Sequence, residues 1–458
     1  METFDIIVLG GGPGGYVAAI KAAQLGKKVA LVEKGTVGGV CLNWGCIPTK
    51  AMLKTAKVYS QFIHASDYGL KIKDFSAIEV DLKAIKERKD KIVHRLTSGV
   101  AYLLKKNGVK VYQGFGTVKD PYTVNVNELD LKTKQLILAT GAHPFIPPIK
   151  GVEEAFNRSQ AVTAKGLLDL EVLPKSLTII GGGVIGVEFA TLFSHLGVEV
   201  TVVEMQDRIL TSIDDEIREK YMPLFLNDKV TLELNSKVVE VQEGKVLYEK
   251  EGKVLSSDAD KVLVAIGTRP NLKGLESLNL ERTKNGVKTN EKMQTNIKDV
   301  YAIGDMNGIA MLAHVASKEG IVAVENCVGK NTHIDYKKVP SGIYGFPEIA
   351  SVGMTEKEVK ASGIEYTVST FPLSANGKAL AEGESDGLIK IIAEKKYNEL
   401  LGMHILSPHA TDLISEGVIA LELESTAEEI AASIHPHPTL SETIMEAAHG
   451  VVDKPIHI

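Results

Sequence analysis

The sequence predicts an α/β protein with two Rossmann-like dinucleotide-binding domains and a smaller C-terminal α+β domain. Two observations carry this. A strand, glycine turn, helix and strand pattern occurs twice, and a chain of 458 residues has length for about three domains. A third, a cysteine pair just beyond the first copy, bears on chemistry.

Residues 4–34 read FDIIVLGGGPGGYVAAIKAAQLGKKVALVEK, and residues 175–205 read KSLTIIGGGVIGVEFATLFSHLGVEVTVVEM. At a constant offset of 171, Gly10 falls on Gly181, Gly12 on Gly183, Gly15 on Gly186, Gly26 on Gly197 and Glu33 on Glu204. Each glycine has a physical task. The first permits a tight turn, the second lets a pyrophosphate approach the backbone, and the third lets helix and strand pack closely. Pyrophosphate then sits on the helix N-terminus, where free N–H groups and the helix dipole favour negative charge. The acid ending the second strand can accept hydrogen bonds from ribose hydroxyls. Glu204 would repel a 2′-phosphate, so the second site favours NAD over NADP, although Arg208 lies nearby.

Composition excludes several classes. The net charge is −6 and no run of Lys and Arg stands alone, so nucleic acid is not an expected partner. Lys86, Arg88, Lys89 and Lys91 alternate with acids and read as a solvated helix face. No apolar run approaches the ~20 residues of a membrane span, and the chain starts without a signal-peptide pattern. Three cysteines are too few for a secreted disulfide framework. A cytoplasmic protein is expected.

The cysteines lie in GGVCLNWGCIPTK, residues 38–50. On a regular helix, positions five apart differ by roughly 140° and ~7.5 Å. A disulfide needs Cα atoms within about 7 Å and converging side chains. Bridging Cys41 and Cys46 therefore requires an irregular turn, which Gly45 and Pro48 can supply. Two cysteines without a well-spaced histidine cannot close a zinc site, so no metal is expected. A redox-active pair is the expected reading, and two free structural thiols are the alternative. Cys327 reads as a small buried residue.

With these motifs the sequence resembles the class I pyridine-nucleotide disulfide oxidoreductases over essentially its whole length. The resemblance rests on GGGPGG (10–15), CLNWGCIPTK (41–50), ATG (139–141), GGGVIGVE (181–188), IGTRPN (266–271), AIGD (302–305), FPEIASVGMTE (346–356) and HPHPTLSE (435–442). It implies FAD in the first unit and NAD in the second. It implies that Cys41 exchanges with the substrate sulfur and that Cys46 lies against the flavin as a thiolate. Lys50 matches a lysine near the flavin, with Glu188 as its partner beside the nicotinamide. Asp305 matches an acid that holds the FAD ribitol. Thr140, Gly141, Gly267 and Ala313 fall in further cofactor-binding motifs. His437 matches the catalytic base and Glu442 the carboxylate that orients it, whereas His435 reads as structural. Base plus orienter is the arrangement that activates a thiol near neutral pH.

The resemblance further implies oxidation of dihydrolipoamide with reduction of NAD. The expected partners are lipoyl domains or a lipoylated carrier of a 2-oxoacid dehydrogenase or glycine cleavage system. In the family the base enters the other subunit's site, which implies a homodimer. The expected division is 1–145 for FAD, 146–266 for NAD, 267–337 completing the FAD unit, and 338–458 as an antiparallel-sheet interface domain. No lipoyl-bearing segment is expected before residue 1. Trp44, the only tryptophan, is expected to pack near the flavin or the substrate channel. Rival readings are a glutathione-type reductase, which should carry arginines near Glu204, and a non-catalytic redox-sensing flavoprotein. The latter would not need both the cysteine pair and the His437–Glu442 pair.

Overall fold

A computed structural model describes residues 2–458, the side chain of Ser76 excepted. Strand Glu2–Leu9 runs parallel to Val29–Glu33 with helix Pro13–Gln24 as the crossover. Strand Ser176–Ile180, helix Val184–His195 and strand Glu199–Val203 repeat that unit. Residues 6–9 and 177–180 are buried throughout, which is why these strands read as continuous apolar runs.

The first sheet orders its strands Lys110–Gln113, Val29–Glu33, Glu2–Leu9, Leu129–Leu138, Thr123–Val126 and Gly116–Asp120. A much later strand, Val300–Ala302, also pairs with Leu129–Leu138 in parallel. Helix Ala313–Cys327 follows and packs on helix Pro13–Gln24. The approach is close: a Cβ on Gly14 would lie 2.9 Å from the Ala316 carbonyl, and one on Gly320 would lie 2.6 Å from the Gly14 carbonyl. The second sheet runs Val230–Glu233, Glu199–Val203, Ser176–Ile180, Lys261–Val264 and Ala161–Val162, all parallel. Where the chain passes between the two units, Ala142–Pro144 pairs with Thr268–Pro270.

The C-terminal part is a five-stranded antiparallel sheet, ordered Ser341–Ile343, Glu348–Gly353, Leu400–Ser407, Leu388–Glu394 and Tyr366–Pro372. Helices Ala410–Glu422 and Glu442–Val452 cover it. One core joins all three parts: Met52 and Leu53, Phe189 and Phe193, and Ile343, Ile349 and Leu406 belong to a single buried cluster. At about 1.5–3 kcal/mol per buried side chain, this shared core holds the helix after the cysteines against the second unit. A buried ammonium reinforces the junction: Lys390 Nζ lies 2.9 Å from Asp214 Oδ1 and 2.8 Å from Glu356 Oε2. Among the described residues, no helix is long and apolar enough to cross a membrane.

Candidate active site

The two glycine turns match atom for atom. Gly10 and Gly181 both have φ +109°, a backbone that disfavours any side chain. Gly10 N donates to Val32 O at 2.8 Å, and Gly181 N to Val203 O at 2.9 Å. A Cβ on Gly15 would sit 1.8 Å from the Gly10 carbonyl, and one on Gly186 would sit 2.0 Å from that of Gly181. Helices Pro13–Gln24 and Val184–His195 begin at Gly12 and Gly183 without any side-chain cap. A Cβ on Gly183 would meet nothing within 4 Å, and one on Gly12 only Gly39 Cα at 3.7 Å. Two uncapped helix N-termini with room above their second glycine fit a pyrophosphate each.

The terminal acids are pinned in the same way. Glu33 accepts from Gly11 N at 2.7 Å and Gly35 N at 2.6 Å. Glu204 accepts from Gly182 N at 2.6 Å and Gln206 N at 2.8 Å. A carboxylate has about four acceptor sites, so each acid keeps capacity for ribose hydroxyls. Arg208 is engaged by Asp207 through two contacts of 2.8 Å, which removes it as a ready partner for a 2′-phosphate.

A second correspondence was hidden in the sequence. The peptide at Ala139 closes the first turn and that at Ala265 the second: Ala139 N donates to Leu9 O at 2.8 Å, and Ala265 N to Ile180 O at 2.9 Å. Gly141 (φ +67°) and Gly267 (φ +109°) follow at equivalent places with open space beside them. Thr140 Oγ1 donates to Asn271 O at 2.6 Å and so ties the first of these turns to the second crossing. The offset here is 126 and not 171, because the first unit carries helices Cys46–Ile63 and Leu82–Lys106 between its second and third strands where the second unit has only Asp215–Phe225.

The cysteine segment docks directly on the first turn. Gly38 N donates to Gly11 O at 2.7 Å, and a Cβ on Gly39 would lie 2.6 Å from Gly12 Cα. Asn43 Nδ2 reaches back to Gly39 O at 2.8 Å. Helix Gly39–Trp44 then breaks at Gly45 (φ −131°, ψ −114°), and helix Cys46–Ile63 starts at once. Here is the irregular turn that the five-residue spacing requires. The two thiols are unbridged and hydrogen-bonded to each other. That hydrogen bond pushes the Cys41 thiol up, with burial adding to it. It draws the Cys46 thiol down to about 7, against burial and with help from the Lys50 charge. A thiol at a helix N-terminus is favoured as thiolate for the same electrostatic reason.

Lys50 stands one helical turn after Cys46. Its Nζ meets Glu188 Oε2 at 2.7 Å and Oε1 at 2.8 Å, and the Glu188 side chain is only 7% exposed. The pair thus joins the cysteine helix to the second glycine-turn helix. Tyr344 touches both members, with its ring centroid 4.3 Å from Lys50 Nζ and its N donating to Glu188 Oε1 at 3.1 Å.

Asp305 lies half-buried after strand Val300–Ala302, and burial raises its carboxyl. The neighbouring turn is held by Glu319, fully buried, which accepts from Gly304 N and Tyr336 Oη at 2.5 Å each. Ala313 opens helix Ala313–Cys327. In the C-terminal part, His437 Nδ1 lies 2.9 Å from Glu442 Oε1 while the ring is 79% exposed. Glu442 also accepts from Thr439 N at 2.8 Å. Burial pushes its carboxyl up, but the Thr439 amide and His437 outweigh this and hold it below its ordinary value. His435 is instead fixed between Ser433 O and Glu416. Cys327, read as a small buried residue, is half-buried and packs at the edge of the first unit's core. Among the described residues, no cluster of three or more His, Cys, Asp or Glu could hold a metal.

Sequence reasoning missed Gly38, Gly39, Asn43, Glu319 and Tyr344. Glu319 carried a signal, an acid on the buried face of a helix. Tyr344 carried none.

Two dinucleotide turns on either side of a thiol pair define a class, and the chain belongs to the pyridine nucleotide-disulphide oxidoreductase family. That family's model matches residues 4–320, and the family's dimerisation domain matches residues 339–448. The chain is an oxidoreductase with sites for FAD and NAD. It is 42% identical to the dihydrolipoyl dehydrogenase of Bacillus subtilis (strain 168), covering 99% of both chains. It is 42% identical to the mitochondrial dihydrolipoyl dehydrogenase 2 of Arabidopsis thaliana, over 99% of this chain and 91% of that one. Among solved structures, LpdA from Mycobacterium tuberculosis matches with a TM-score of 0.88 at 26% identity, over 98% of this chain and 99% of that one.

Proposed function

We infer that the chain oxidises dihydrolipoyl groups to the cyclic disulfide and reduces NAD, the activity for which its relatives are named. The observation that carries this reading is the Cys41–Cys46 pair at a helix start, tied to one glycine turn by Gly38 and to the other by Lys50–Glu188.

Gly10, Gly12, Gly15, Glu33, Lys50, Thr140, Gly141, Asp305 and Ala313 would hold FAD. Gly181, Gly183, Gly186, Glu188, Glu204 and Gly267 would hold NAD. Bound there, FAD would supply the two-electron chemistry between the thiol pair and NAD. The remaining steps belong to the chain. His437 takes the proton of one substrate thiol. The resulting thiolate attacks Sγ of Cys41 in the oxidised pair, forming a mixed disulfide and releasing Cys46 as thiolate. The second substrate thiol gives up its proton to solvent, and its thiolate attacks the substrate sulfur of that mixed disulfide. The substrate ring closes and Cys41 leaves, taking the proton from His437. Glu442 keeps Nδ1 occupied and Nε2 available throughout.

The dimerisation domain supports a homodimer, in which His437 acts on the partner's cysteine pair. A lipoylated carrier protein would present the substrate arm, and the cytoplasm would be the working compartment. The four segments 1–145, 146–266, 267–337 and 338–458 are proposed as the FAD, NAD, completing and interface parts.

The direct test is reduction of NAD by dihydrolipoamide with the FAD-loaded protein, beside an equal assay with NADP. Fast NADH formation with little NADPH is expected, because Glu204 opposes a 2′-phosphate. No turnover with either nucleotide would overturn the substrate assignment, and equal rates would overturn the role of Glu204. Trp44 gives an optical check. It ends helix Gly39–Trp44 beside the cysteines, so its fluorescence should be quenched in the holoenzyme and rise strongly when FAD is removed. Unchanged emission would show that Trp44 does not face the flavin.

A further inference from the structure

The ammonium of Lys50 has three N–H donors. Two oxygens of Glu188 engage it at 2.7 and 2.8 Å, and the Tyr344 ring lies 4.3 Å from it. The Tyr344 backbone N–H meanwhile supports Glu188 at 3.1 Å. One residue of the C-terminal part therefore holds both members of an ion pair that links the other two parts.

Its own placement is firm. On one side strand Ser341–Ile343 is paired in the third sheet. On the other, Gly345 leaves no space for a side chain, since a Cβ would lie 2.5 Å from Tyr221 Oη and 2.9 Å from Pro347 O. Phe346 then packs edge-to-face on His195, with centroids 5.0 Å apart. Tyr344 is thus braced by the third sheet on one side and by helices of the NAD unit on the other.

We propose that Tyr344 is a positioning residue whose ring fixes the Lys50 ammonium between Glu188 and Cys46. This rests on the roles of Lys50 and Cys46 proposed above. Three groups act electrostatically on Cys46: the hydrogen-bonded Cys41, the Lys50 cation and the Glu188 carboxylate. The cation favours its thiolate and the carboxylate opposes it. A second carboxylate at the Tyr344 position would hold Lys50 equally well, yet it would add negative field at the thiol. An aromatic face attracts the cation through its quadrupole and brings no net charge. It therefore steadies the ammonium without cost to the thiolate.

The test compares Tyr344→Leu, Tyr344→Phe, Lys50→Met and the Tyr344→Leu/Lys50→Met double variant as FAD-loaded proteins. The readout is the pH midpoint of the thiolate-to-flavin absorbance in the reduced enzyme, with flavin content measured first. Tyr344→Leu should raise the midpoint by roughly half a pH unit, the scale of one lost cation–π contact. Tyr344→Phe, which keeps the ring, should stay at the wild-type midpoint. On the Lys50→Met background, Tyr344→Leu should add no shift. A wild-type midpoint for Tyr344→Leu, an equal shift for Tyr344→Phe, or an undiminished shift without Lys50 would each overturn the proposal. A wild-type midpoint for Lys50→Met would instead overturn the role of Lys50 itself. Should Tyr344→Leu not retain FAD, Tyr344→Met carries the same comparison.

Discussion

Replacing His437 with Gln is expected to lower dihydrolipoamide oxidation by about 10²–10⁴-fold, the usual contribution of a positioned general base, with FAD content unchanged. The physical reason is that an unperturbed substrate thiol is mostly protonated at neutral pH, and only the thiolate attacks a disulfide. The exposed imidazole can reach an external thiol because Glu442 occupies only its Nδ1 side. A subunit-mixing experiment gives this prediction its sharpest form. In a two-fold symmetric dimer whose sites each use one subunit's cysteines and the other's histidine, a Cys46→Ser subunit beside a His437→Gln subunit forms one complete site. Co-expressing the two inactive variants should therefore restore about one quarter of wild-type turnover, since about half of the dimers are mixed and each has one working site. Mixed dimers without activity would show that the histidine serves its own subunit or is not the base.

Cys46→Ser should abolish dihydrolipoamide oxidation, by roughly 10³-fold or more, because no disulfide can form for the substrate to attack. The protein should still fold and hold FAD, since Cys46 begins a helix whose core contacts come from Met52, Leu53 and Ala56. Unchanged turnover would end the disulfide mechanism. The intact pair should also show a pH signature. Hydrogen bonding to Cys41 lowers the Cys46 thiol to about 7, so its thiolate forms as pH rises through that value and is lost below it. In the reduced holoenzyme the thiolate-to-flavin absorbance should follow this curve. A midpoint near the ordinary thiol value of about 8.5 would show that neither Cys41 nor Lys50 stabilises the thiolate.

Much of the site was legible because its parts are local. The glycine turns depend on backbone angles that neighbouring residues cannot substitute, so Gly10 and Gly181 are visible as spacing alone. The break at Gly45 follows from the geometry of a five-residue cysteine spacing. The His437–Glu442 contact, which the family resemblance implied, spans five positions from a loop to the first residue of helix Glu442–Val452. The ATG and IG turns were harder. They are equivalent in space, but between its second and third strands the first unit carries helices Cys46–Ile63 and Leu82–Lys106 where the second has only Asp215–Phe225, and this destroys any constant offset.

The family resemblance pointed to the histidine and its carboxylate; the sequence by itself determined two nucleotide turns, their terminal acids and an irregular cysteine turn. Each is decided by short-range sterics or by hydrogen bonds over a few residues. The family resemblance implied that residues 267–337 complete the first unit and that Lys50 pairs with Glu188; only the tertiary structure decided that strand Val300–Ala302 makes that return, that Glu319 braces the Asp305 turn, and that Tyr344 joins the Lys50–Glu188 pair. Lys50 and Glu188 are 138 positions apart and sit on helices of different units. Nothing in either local pattern fixes their meeting. It depends on the shared core that presses those helices together, and a core is a property of many side chains packed at once.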